Sequence, residues 1–562
     1  MSTRIKNHII SQVSHLVSED LQHINKPSSY KILTNKDPHI SFQLHLPFKY
    51  LSAMKPFKAA MKTKPKGFIN TILENKVKGF RGLNFEIERN FFIESALNDV
   101  LNPTIDESKQ AKKIVIDYSS PNIAKPFHVG HLRSTIIGNF IGNINTYLNE
   151  KVVRINYLGD WGTQFGLLKV GVDLAKYSEE QIKQNPIQLL YEAYVQANKL
   201  AETDATINDK AKIAFTLLEQ GNPEELRKWE KYREYTIEEL KKLYQRLGVT
   251  FDEYHWESMY GSRQITNILQ NLESCGILKS DESGKKFVSV FDRNVTVVKS
   301  DGSSLYLTRD IAAVLDRYNR YSFDQMIYVV DNSQTDHFRA LNEILEQMDT
   351  PFKNSCRHVK FGRIKGMSTR KGNIVFLKDI LDEAKEKMHQ QQKESLTTKV
   401  DLTDDSVSDI LGTTAVIIND LKQKRHRDYD FSWENILRSQ GDTGIRLQYL
   451  HCRLWSMEQK CGVELPTICK PECLQEPEAL MLVNELAKFT EILERSREEM
   501  EAYLLIVYLF RLSHNVNKAI RVLQVKDQEK DIGEQRLLLF HAARTVIKTG
   551  LEILGVKPLN QM

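Results

Sequence analysis

Two histidines on either side of a glycine are the most informative group in the sequence. His128 and His131 flank Gly130 where an apolar run gives way to a helical pattern, the place where an open α/β sheet binds ligands. Imidazoles at a helix N-terminus can donate hydrogen bonds to charge that develops during phosphoryl or nucleotidyl transfer. Gly130 would let a nucleotide approach the backbone closely. Taken alone, the motif also fits two surface histidines.

A second segment carries clustered cations. Residues 362–373, GRIKGMSTRKGN, contain Lys365, Arg370 and Lys371 among three glycines. A loop of this kind can close over a triphosphate and neutralise the transition state when the α-phosphate is attacked. In isolation it also fits a solvated basic loop, but its pairing with the two histidines favours nucleotide chemistry.

The surrounding elements follow the pattern of a doubly wound sheet. An apolar run at 114–116, a turn and a helical pattern over 129–148 form a strand, loop and helix unit, and the run 152–157 predicts the next parallel strand. The sheet resumes at 326–330 and 358–361. We therefore expect an α/β fold whose core is a Rossmann-type doubly wound parallel sheet.

Three further regions accompany the predicted sheet. Residues 172–250 are helical and charged, with Asn222 as N-cap and Pro223 at the first position of a long helix, so we expect a helical insertion. From about residue 405 onward helices follow one another, which predicts a C-terminal all-α bundle. Residues 1–105 mix apolar alternation with turns and predict a small N-terminal α+β module.

Composition excludes several classes of protein. The chain has 562 residues, of which 41% are hydrophobic and 27% charged, so we expect several domains and no long disordered tract. The six cysteines include no Cys-x-x-Cys pair, which indicates reduced thiols and no zinc site. No stretch approaches the roughly 18 apolar residues of a membrane span.

The net charge of +5 is unevenly distributed. Between Lys49 and Arg81, nine basic residues stand against one acidic residue, Glu74, which gives this stretch a charge of +8. A local basic field favours a polyanionic partner, and a solvated lysine-rich loop is the simpler alternative.

Whole motifs show that the chain resembles class I aminoacyl-tRNA synthetases, and among them arginyl-tRNA synthetases of the mitochondrial form. HVGH at 128–131 matches the His-Ile-Gly-His signature, and MSTRK at 367–371 is similar to the Lys-Met-Ser-Lys-Ser loop. The longer matching strings are SSPNIAKPFHVGHLRST, NYLGDWGTQFG, SDGSSLYLTRD and GDTGIRLQYLHCR. The resemblance extends from GFIN at 67–70 to Met562.

The resemblance implies an arginine site. Asp310 accepts the guanidinium, Tyr306 packs against it or bonds it, and Glu257 joins them. Tyr306 and Asp310 stand four apart at a predicted helix start and so share a face, and a desolvated carboxylate suits planar, bidentate recognition of a guanidinium. Residues implied to contact the rest of the amino acid are Ser120, Pro121, Asn122, His131 and Gln334.

The resemblance also implies the ATP site and the catalytic groups. No protein nucleophile is needed, because catalysis comes from positioning and electrostatics. The loop departs from the family pattern, since Arg370 replaces its second lysine, and Lys125 occupies the place of a compensating lysine. The implied catalytic residues are Lys125, His128, His131, Ser368, Arg370 and Lys371. The implied ATP-binding residues are His128, Gly130, His131 and Met367.

The implied activity is that of an arginine–tRNA ligase. L-Arginine reacts with ATP, accompanied by Mg²⁺, to give arginyl-adenylate, and the arginyl group passes to the 3′-terminal ribose of tRNA(Arg). No protein-held metal or prosthetic group and no membrane is expected, and the family implies a monomer. Whether tRNA is needed for arginine activation is left open.

Two other functions fit part of this pattern. A nucleotidyltransferase outside translation can share the histidine motif but would lack the anticodon-like bundle. A catalytically dead, RNA-binding paralogue is disfavoured because both histidines, Asn122, Gln334 and Asp310 are present.

The outer regions are expected to bind RNA. The basic N-terminal module resembles the domain that holds the tRNA elbow, and the C-terminal bundle is similar to an anticodon-binding domain. Ala519 and Ile520 stand where the family usually has an aromatic pair, which leaves anticodon stacking there open. The residues expected to contact tRNA are Lys62, Lys64, Lys66, Lys76, Lys78 and Met562.

The expected domains follow from these modules. Residues 1–18 have the acid-free composition of a mitochondrial transit peptide, whose cleavage cannot be read from the sequence. The tRNA-binding module spans 19–105, the catalytic domain 106–400 and the anticodon-binding domain 401–562. We expect the mitochondrial matrix as the compartment, with the cytoplasm as the alternative.

Overall fold

The chain forms two compact units in the computed structural model. The first unit comprises Met1–Lys109, His389–Lys422 and Leu437–Met562, and the second comprises Gln110–Met388 and Gln423–Ile436. The structure describes residues 5, 9, 30–33, 40–46, 67–77, 80–103, 110–123, 127–291, 293–300, 302–366, 376–395, 400, 404–436 and 441–562.

A five-stranded, all-parallel sheet is the centre of the second unit. Its strands are β5 (Lys113–Asp117), β6 (Lys151–Leu158), β7 (Glu253–Trp256), β11 (Gln325–Asp331) and β12 (Cys356–Phe361). Their order across the sheet is β12-β11-β5-β6-β7. The chain therefore proceeds outward from β5 in one direction and later resumes on its other side at β11, which creates a topological switch point between β5 and β11.

The parallel strands are apolar because helices cover them. Four of the five β5 residues are buried, which matches the continuous apolar run expected of a strand covered on both faces. The adjoining core contains Val115, Ile155, Met326 and Tyr328, one or more from each of the three central strands.

Two smaller sheets belong to the second unit. One is antiparallel and consists of β8 (Leu278–Ser280), β9 (Lys286–Val290) and β10 (Arg293–Val298). The other is a parallel pair, β13 (Ile364–Lys365) and β14 (Tyr429–Asp430).

The helices of the second unit include a helical insertion between β6 and β7. The helices from β5 to β7 are α2 (Val129–Tyr147), α3 (Thr163–Ala175), α4 (Glu179–Gln184), α5 (Pro186–Ala201), α6 (Ala205–Glu219) and α7 (Pro223–Arg246). Those that follow are α8 (Ser262–Ser274), α9 (Tyr306–Tyr321), α10 (Thr335–Gln347), α11 (Leu377–Glu394) and α13 (Trp433–Ile436), with α11 continuing into the first unit.

Glycines allow the insertion helices to pack closely. A Cβ at Gly166 would lie 1.9 Å from the carbonyl oxygen of Ala211, and one at Gly171 would lie 2.0 Å from that of Ala193. Because no real Cβ tolerates such distances, α3 can approach α5 and α6 this closely only with glycine at these positions.

The first unit combines an antiparallel sheet with helices. Its strands are β1 (Tyr30–Leu33), β2 (Ile40–Leu46), β3 (Ile69–Val77) and β4 (Phe80–Ile87), in the order β1-β2-β4-β3. Its helices are α1 (Arg89–Leu101), α12 (Ser406–Leu421), α14 (Gly444–Lys460), α15 (Pro477–Leu486), α16 (Phe489–Glu499), α17 (Ala502–Val522) and α18 (Lys530–Ile553). None of the helices in the described part of the chain has the length and apolar character that crossing a bilayer requires.

The fold predicted from the sequence is confirmed in class and in its main elements. The strand and helix predicted at 114–116 and 129–148 are β5 and α2, and the helix predicted after Asn222 is α7. Asn222 caps it as expected, because its side chain accepts from the backbone N–H groups of Glu224 and Glu225.

Candidate active site

The described residues of the predicted site in the second unit follow the elements that end at one edge of the parallel sheet. The segment after β5 leads to α2, and the segment after β11 leads to α10. Both helices start at the carboxyl edge of the sheet, beside the switch point, so their free N–H groups face the same region.

His128 and His131 cap the start of α2. Nδ1 of His128 accepts from the backbone N–H of Gly130 at 2.9 Å, and Nδ1 of His131 accepts from the backbone N–H of His128 at 3.2 Å. An Nδ1 that accepts carries no proton, so each neutral ring carries its proton on Nε2. The two rings, 4.2 Å apart, therefore each have an Nε2–H donor for a negatively charged ligand.

The segment after the basic loop returns to the same helix start. Leu377 donates its backbone N–H to the carbonyl of Phe127 at 3.0 Å, and Phe376 forms a β-bridge with His128. The Phe127 ring stacks on His131 with centroids 5.3 Å apart. The loop residues Met367, Ser368, Arg370 and Lys371, like Lys125, lie outside the described residues.

Arg133 ties the segment before the basic loop to α2. Its side chain is 1% exposed, and one nitrogen, Nη1, donates to the carbonyls of Gly362 at 2.8 Å and Arg427 at 2.9 Å. The guanidinium also lies 5.3 Å from the centre of the Tyr429 ring, on β14. The chain on both sides of the basic loop, at Gly362 and at Leu377, is thus held at the start of α2. We call α2 the histidine helix below.

The turn after β5 is held in an unusual backbone conformation. Ser119 and Ser120 have φ values of +70° and +45°, a region that non-glycine residues rarely adopt. Ser119 N–H donates to Ser134 Oγ, and its hydroxyl lies 2.8 Å from the hydroxyl of Tyr244. Ser120 N–H donates to the side-chain oxygen of Asn156 at 3.0 Å. These bonds fix the backbone that leads to Pro121 and Asn122.

Asn122 lies beside the end of β6, the strand next to β5. It forms a parallel β-bridge with Gly159, whose backbone N–H donates to the carbonyl of Pro121 at 3.1 Å. A Cβ at Gly159 would lie 3.2 Å from the Asn122 amide. Gly159, the first residue of the Gly-Asp-Trp string at 159–161, therefore supports Asn122 directly.

A buried ion pair lies beneath this turn. Arg317 of α9 contacts Asp117 at 2.8 Å, and Asp117 also accepts from the Ser120 hydroxyl at 2.7 Å. Burial lowers the pKa of the Arg317 guanidinium, but the negative charge of Asp117 together with the neighbouring tyrosine hydroxyls exceeds this effect, so the pKa of Arg317 is raised. The Arg317 guanidinium also stacks on the ring of Tyr157, 4.9 Å from its centre. Arg317 therefore connects the turn after β5 with Tyr157.

Tyr306 and Asp310 lie on the first turns of α9, as their spacing predicts. Tyr306 is 56% exposed at the helix start. Asp310 is partly buried and contacts His337 of α10, with 2.6 Å between Oδ2 and Nε2. No pattern in the sequence indicates His337 as a partner of Asp310.

Glu257 is the second carboxyl group predicted to bind the guanidinium. It begins a 3-10 turn, Glu257–Met259, that follows β7, and its Oε2 is buried without a hydrogen-bond partner in the described part of the chain. Burial raises the pKa of Glu257 to about 8, and the charge of Asp310 adds to this rise. Glu257 therefore holds a proton near neutral pH, and a bound cation would cause it to release that proton.

Asp160 holds the turn that carries Glu257. Asp160 is wholly buried, and Ser258 donates both its backbone N–H and its hydroxyl to the two carboxylate oxygens at 3.0 and 2.7 Å. Burial raises the pKa of Asp160 to about 6, although the bonds from Ser258 oppose the rise. Arg233 lies 3.7 Å from Asp160 and stacks between two tryptophan rings.

Several described residues of the predicted arginine site are connected by shared contacts. Asp310, Glu257 and Arg317 all lie close enough to Tyr157 to affect the pKa of its hydroxyl. The turn at 119–122 is connected to Tyr157 through Arg317. Gln334 lies exposed in a short 3-10 turn after β11. Met562 belongs to the first unit, and Lys76 lies in β3.

Other predicted residues fall outside what the structure describes. Lys62, Lys64, Lys66 and Lys78 belong to this group. Among the described residues, no group of three or more His, Cys, Asp or Glu side chains is arranged to hold a metal ion.

Sequence comparisons identify the family. Residues 93–433 match the catalytic domain of class I tRNA synthetases of the arginine type, tRNA synthetases class I (R), and residues 447–562 match the DALR anticodon binding domain. The chain is 41% identical to the human probable mitochondrial arginine–tRNA ligase over 88% of this chain and 87% of that protein. It is 40% identical to the probable cytoplasmic arginine–tRNA ligase of Dictyostelium discoideum over 90% and 91%.

Solved structures share the fold. The arginyl-tRNA synthetase of Thermus thermophilus superposes with a TM-score of 0.82 at 19% identity, covering 99% of this chain and 100% of that one. The Plasmodium falciparum enzyme gives a TM-score of 0.80 over 99% of both chains. Together with the sequence relatives, these matches show that the chain belongs to the arginine–tRNA ligases, a family of class I aminoacyl-tRNA synthetases.

Proposed function

We propose that this protein attaches L-arginine to tRNA(Arg) in two steps. A carboxylate oxygen of arginine attacks the α-phosphorus of ATP, the bond to the bridging oxygen of the β-phosphate breaks, and pyrophosphate leaves. A terminal ribose hydroxyl of tRNA then attacks the activated carbonyl carbon, loses its proton, and AMP leaves. The observation that carries this proposal is the pair of carboxyl groups, Asp310 and Glu257, at the edge of the sheet where the histidine helix begins.

The phosphates bind at the start of α2 in this proposal. His128, Gly130 and His131 supply two Nε2–H donors and a helix N-terminus, which together favour negative charge. A Cβ at Gly130 would lie 2.6 Å from the His128 ring, so glycine preserves the cap that orients this histidine. These groups stabilise charge as it develops on the α-phosphate.

The amino acid binds between the turn after β5 and the first turn of α9. Asp310 and Glu257 take the guanidinium and Tyr306 covers it, because a guanidinium excluded from water needs carboxylate partners. Ser120, Pro121, Asn122 and Gln334 hold the α-amino and carboxylate end, and His131 lies where the two ligands meet. Fixing the carboxylate beside the α-phosphate supplies the proximity that the first step requires.

The basic loop completes the catalytic groups by resemblance. Ser368, Arg370 and Lys371 would neutralise the phosphates together with Lys125, and Met367 would contact ATP. The contacts of Arg133 and Phe127 support this role, since they hold both flanks of the loop at the histidine helix. Mg²⁺ enters with ATP as part of the substrate.

The outer regions bind tRNA in this proposal. Residues 19–105, with Lys62, Lys64, Lys66, Lys76 and Lys78, contact the backbone of the tRNA elbow, and residues 401–562 read the anticodon. On α14, Tyr449 is 53% exposed and stands between Arg446 and Arg453 at helical spacing, which suits stacking on an unpaired base beside phosphates. Ala519 is fully buried, so stacking there is unsuited to this chain.

The remaining parts of the proposal concern organisation and place. Residues 106–400 form the catalytic domain, and the protein acts as a monomer in the mitochondrial matrix after import through residues 1–18. The relatives include mitochondrial and cytoplasmic enzymes, and the acid-free start favours the former.

Amino-acid specificity tests the function. Purified protein is incubated with ATP, unfractionated tRNA and each of the twenty amino acids, and aminoacyl-tRNA is measured. We expect charging with arginine alone. Charging with another amino acid, or none with arginine under conditions in which the protein is folded, would refute the proposal.

A further inference from the structure

The two carboxylate oxygens of Asp310 differ in their hydrogen bonding. Oδ2 lies 2.6 Å from Nε2 of His337, close enough for a hydrogen bond to the carboxylate. Oδ1 has no hydrogen-bond partner among the described residues. Oδ1 is therefore the Asp310 oxygen whose two lone pairs are both available to a ligand while His337 stays in place.

His337 is itself held by aromatic packing. Its ring meets Phe338 edge-on, with centroids 5.3 Å apart and planes at 86°. Phe338 is buried and contacts the rings of Tyr328 at 4.9 Å and His358 at 4.5 Å. Tyr328 and His358 belong to the two neighbouring strands β11 and β12, so the sheet fixes the helix turn from which His337 reaches Asp310.

The other carboxyl group is open in the same way. Oε2 of Glu257 is buried without a hydrogen-bond partner in the described part of the chain, whereas Asp160 holds the adjoining Ser258 through two hydrogen bonds. His337 thus holds Asp310, and Asp160 holds the turn that carries Glu257. Each of the two carboxyl groups keeps one oxygen without a hydrogen-bond partner among the described residues. A planar guanidinium, with five N–H donors, can bridge two such oxygens.

We propose that His337 is a positioning residue for arginine recognition: by occupying Oδ2 of Asp310 it turns Oδ1 toward the guanidinium, which then bridges Asp310 and Glu257. This proposal rests on the proposed function and deepens it. Without His337, the Asp310 side chain is free to rotate and can no longer present one fixed oxygen, which costs affinity for arginine and leaves the ATP site untouched.

Two substitutions at this position separate positioning from mere packing. In His337→Gln the amide Nε2–H can reach the same oxygen as the imidazole Nε2–H, whereas His337→Ala removes the donor. Arg339→Ala, two residues further along α10, is the matched control, because its guanidinium stacks on the exposed Phe291 ring and contacts neither carboxyl group. The KM values for arginine and ATP, kcat and the midpoint of thermal unfolding are measured for all four proteins.

We expect His337→Ala to raise the KM for arginine at least about tenfold, as removal of a hydrogen bond to a charged group does. The KM for ATP should stay within about twofold, and His337→Gln should restore most of the affinity for arginine. An unchanged KM for arginine, an equal rise in both KM values, or a Gln variant no better than the Ala variant would overturn the proposal. Failure of the wild-type protein to use arginine at all would instead refute the proposed function.

Discussion

At the scale of single residues, the proposed recognition of arginine depends on two carboxyl groups whose surroundings differ. Glu257 is buried and keeps a proton near neutral pH, because burial and the charge of Asp310 raise its pKa to about 8. Arg309 opposes this rise, and Asp160 adds to it. A bound guanidinium would supply the missing positive charge and favour the ionised form, so arginine binding is linked to the release of one proton.

This linkage predicts a pH dependence of arginine use. We expect the KM for arginine to fall by up to about tenfold between pH 7 and a pH of about 9, because one linked proton corresponds to a factor of ten per pH unit below the pKa. Glu257→Gln should raise the KM and flatten its pH profile. Steady-state charging assays from about pH 6.5 to 9 measure both effects, and a profile that Glu257→Gln leaves unchanged would show that another group titrates.

Side-chain pairs in the site differ in how far they can be predicted from the sequence. Tyr306 and Asp310 can be paired because helical spacing places them on one face. His337 and Asp310 are 27 residues apart, and Asp117 and Arg317 are 200 apart. Such distant pairs depend on which helices the sheet brings side by side, which no local pattern contains.

At the scale of elements, α2 carries the two histidines of the proposed site and holds the chain at Gly362. Its first residues carry the histidines, and its second turn carries Arg133, which holds the chain segments at Gly362 and Arg427. The elements β5, α2 and β6 can be predicted because buried parallel strands read as apolar runs. The sheet β8-β9-β10 escapes prediction because its strands are three to six residues long and several of their residues face solvent.

Removing the Arg133 side chain should damage stability and catalysis together. Arg133→Met leaves the buried carbonyl of Gly362 and the partly buried carbonyl of Arg427 without their donor, so we expect the free energy of unfolding to fall by about 1–3 kcal/mol, the cost of one unsatisfied buried group. The rate of adenylate formation should fall as well, because Gly362, at the start of the basic loop, is no longer attached to α2. Denaturant unfolding and single-turnover kinetics measure the two effects.

Arg320→Met provides the control for this variant. The Arg320 side chain is 42% exposed and pairs with Asp316 one helical turn away, and exposed pairs of this kind contribute about 0.5 kcal/mol or less. Equal decreases in stability for the two variants would show that Arg133 has no special part in joining the loop flanks to the helix.

At the scale of the whole molecule, basic charge is concentrated in one stretch of the sequence. The stretch from Lys49 to Arg81 carries +8, whereas the whole chain carries +5, so the remainder is slightly acidic. A substrate as large and anionic as tRNA is bound mainly through its phosphates, whereas arginine and ATP are recognised by a few placed groups. Composition can therefore indicate the polyanion but not the small substrates.

The basic stretch should determine the salt dependence of tRNA binding. Replacing Lys62, Lys64 and Lys66 by Gln should weaken tRNA affinity and reduce the slope of log Kd against log salt by about 0.7–0.9 for each phosphate that is no longer neutralised. The KM for arginine at saturating tRNA should not change. Filter binding at several salt concentrations measures the slope, and an unchanged slope would assign this stretch to a role other than phosphate binding.

In the proposed function, selection of arginine depends above all on Asp310. It is tested most directly by kcat/KM for arginine in Asp310→Asn, compared with Asp349→Asn, whose side chain is 83% exposed and pairs with Lys353 on the surface. We expect kcat/KM for Asp310→Asn to fall at least about a hundredfold, because a charged partner of the guanidinium is removed at a partly buried site, while tRNA affinity and the control stay as in the wild type. A kcat/KM for arginine that matches the wild type would show that Asp310 does not select the substrate.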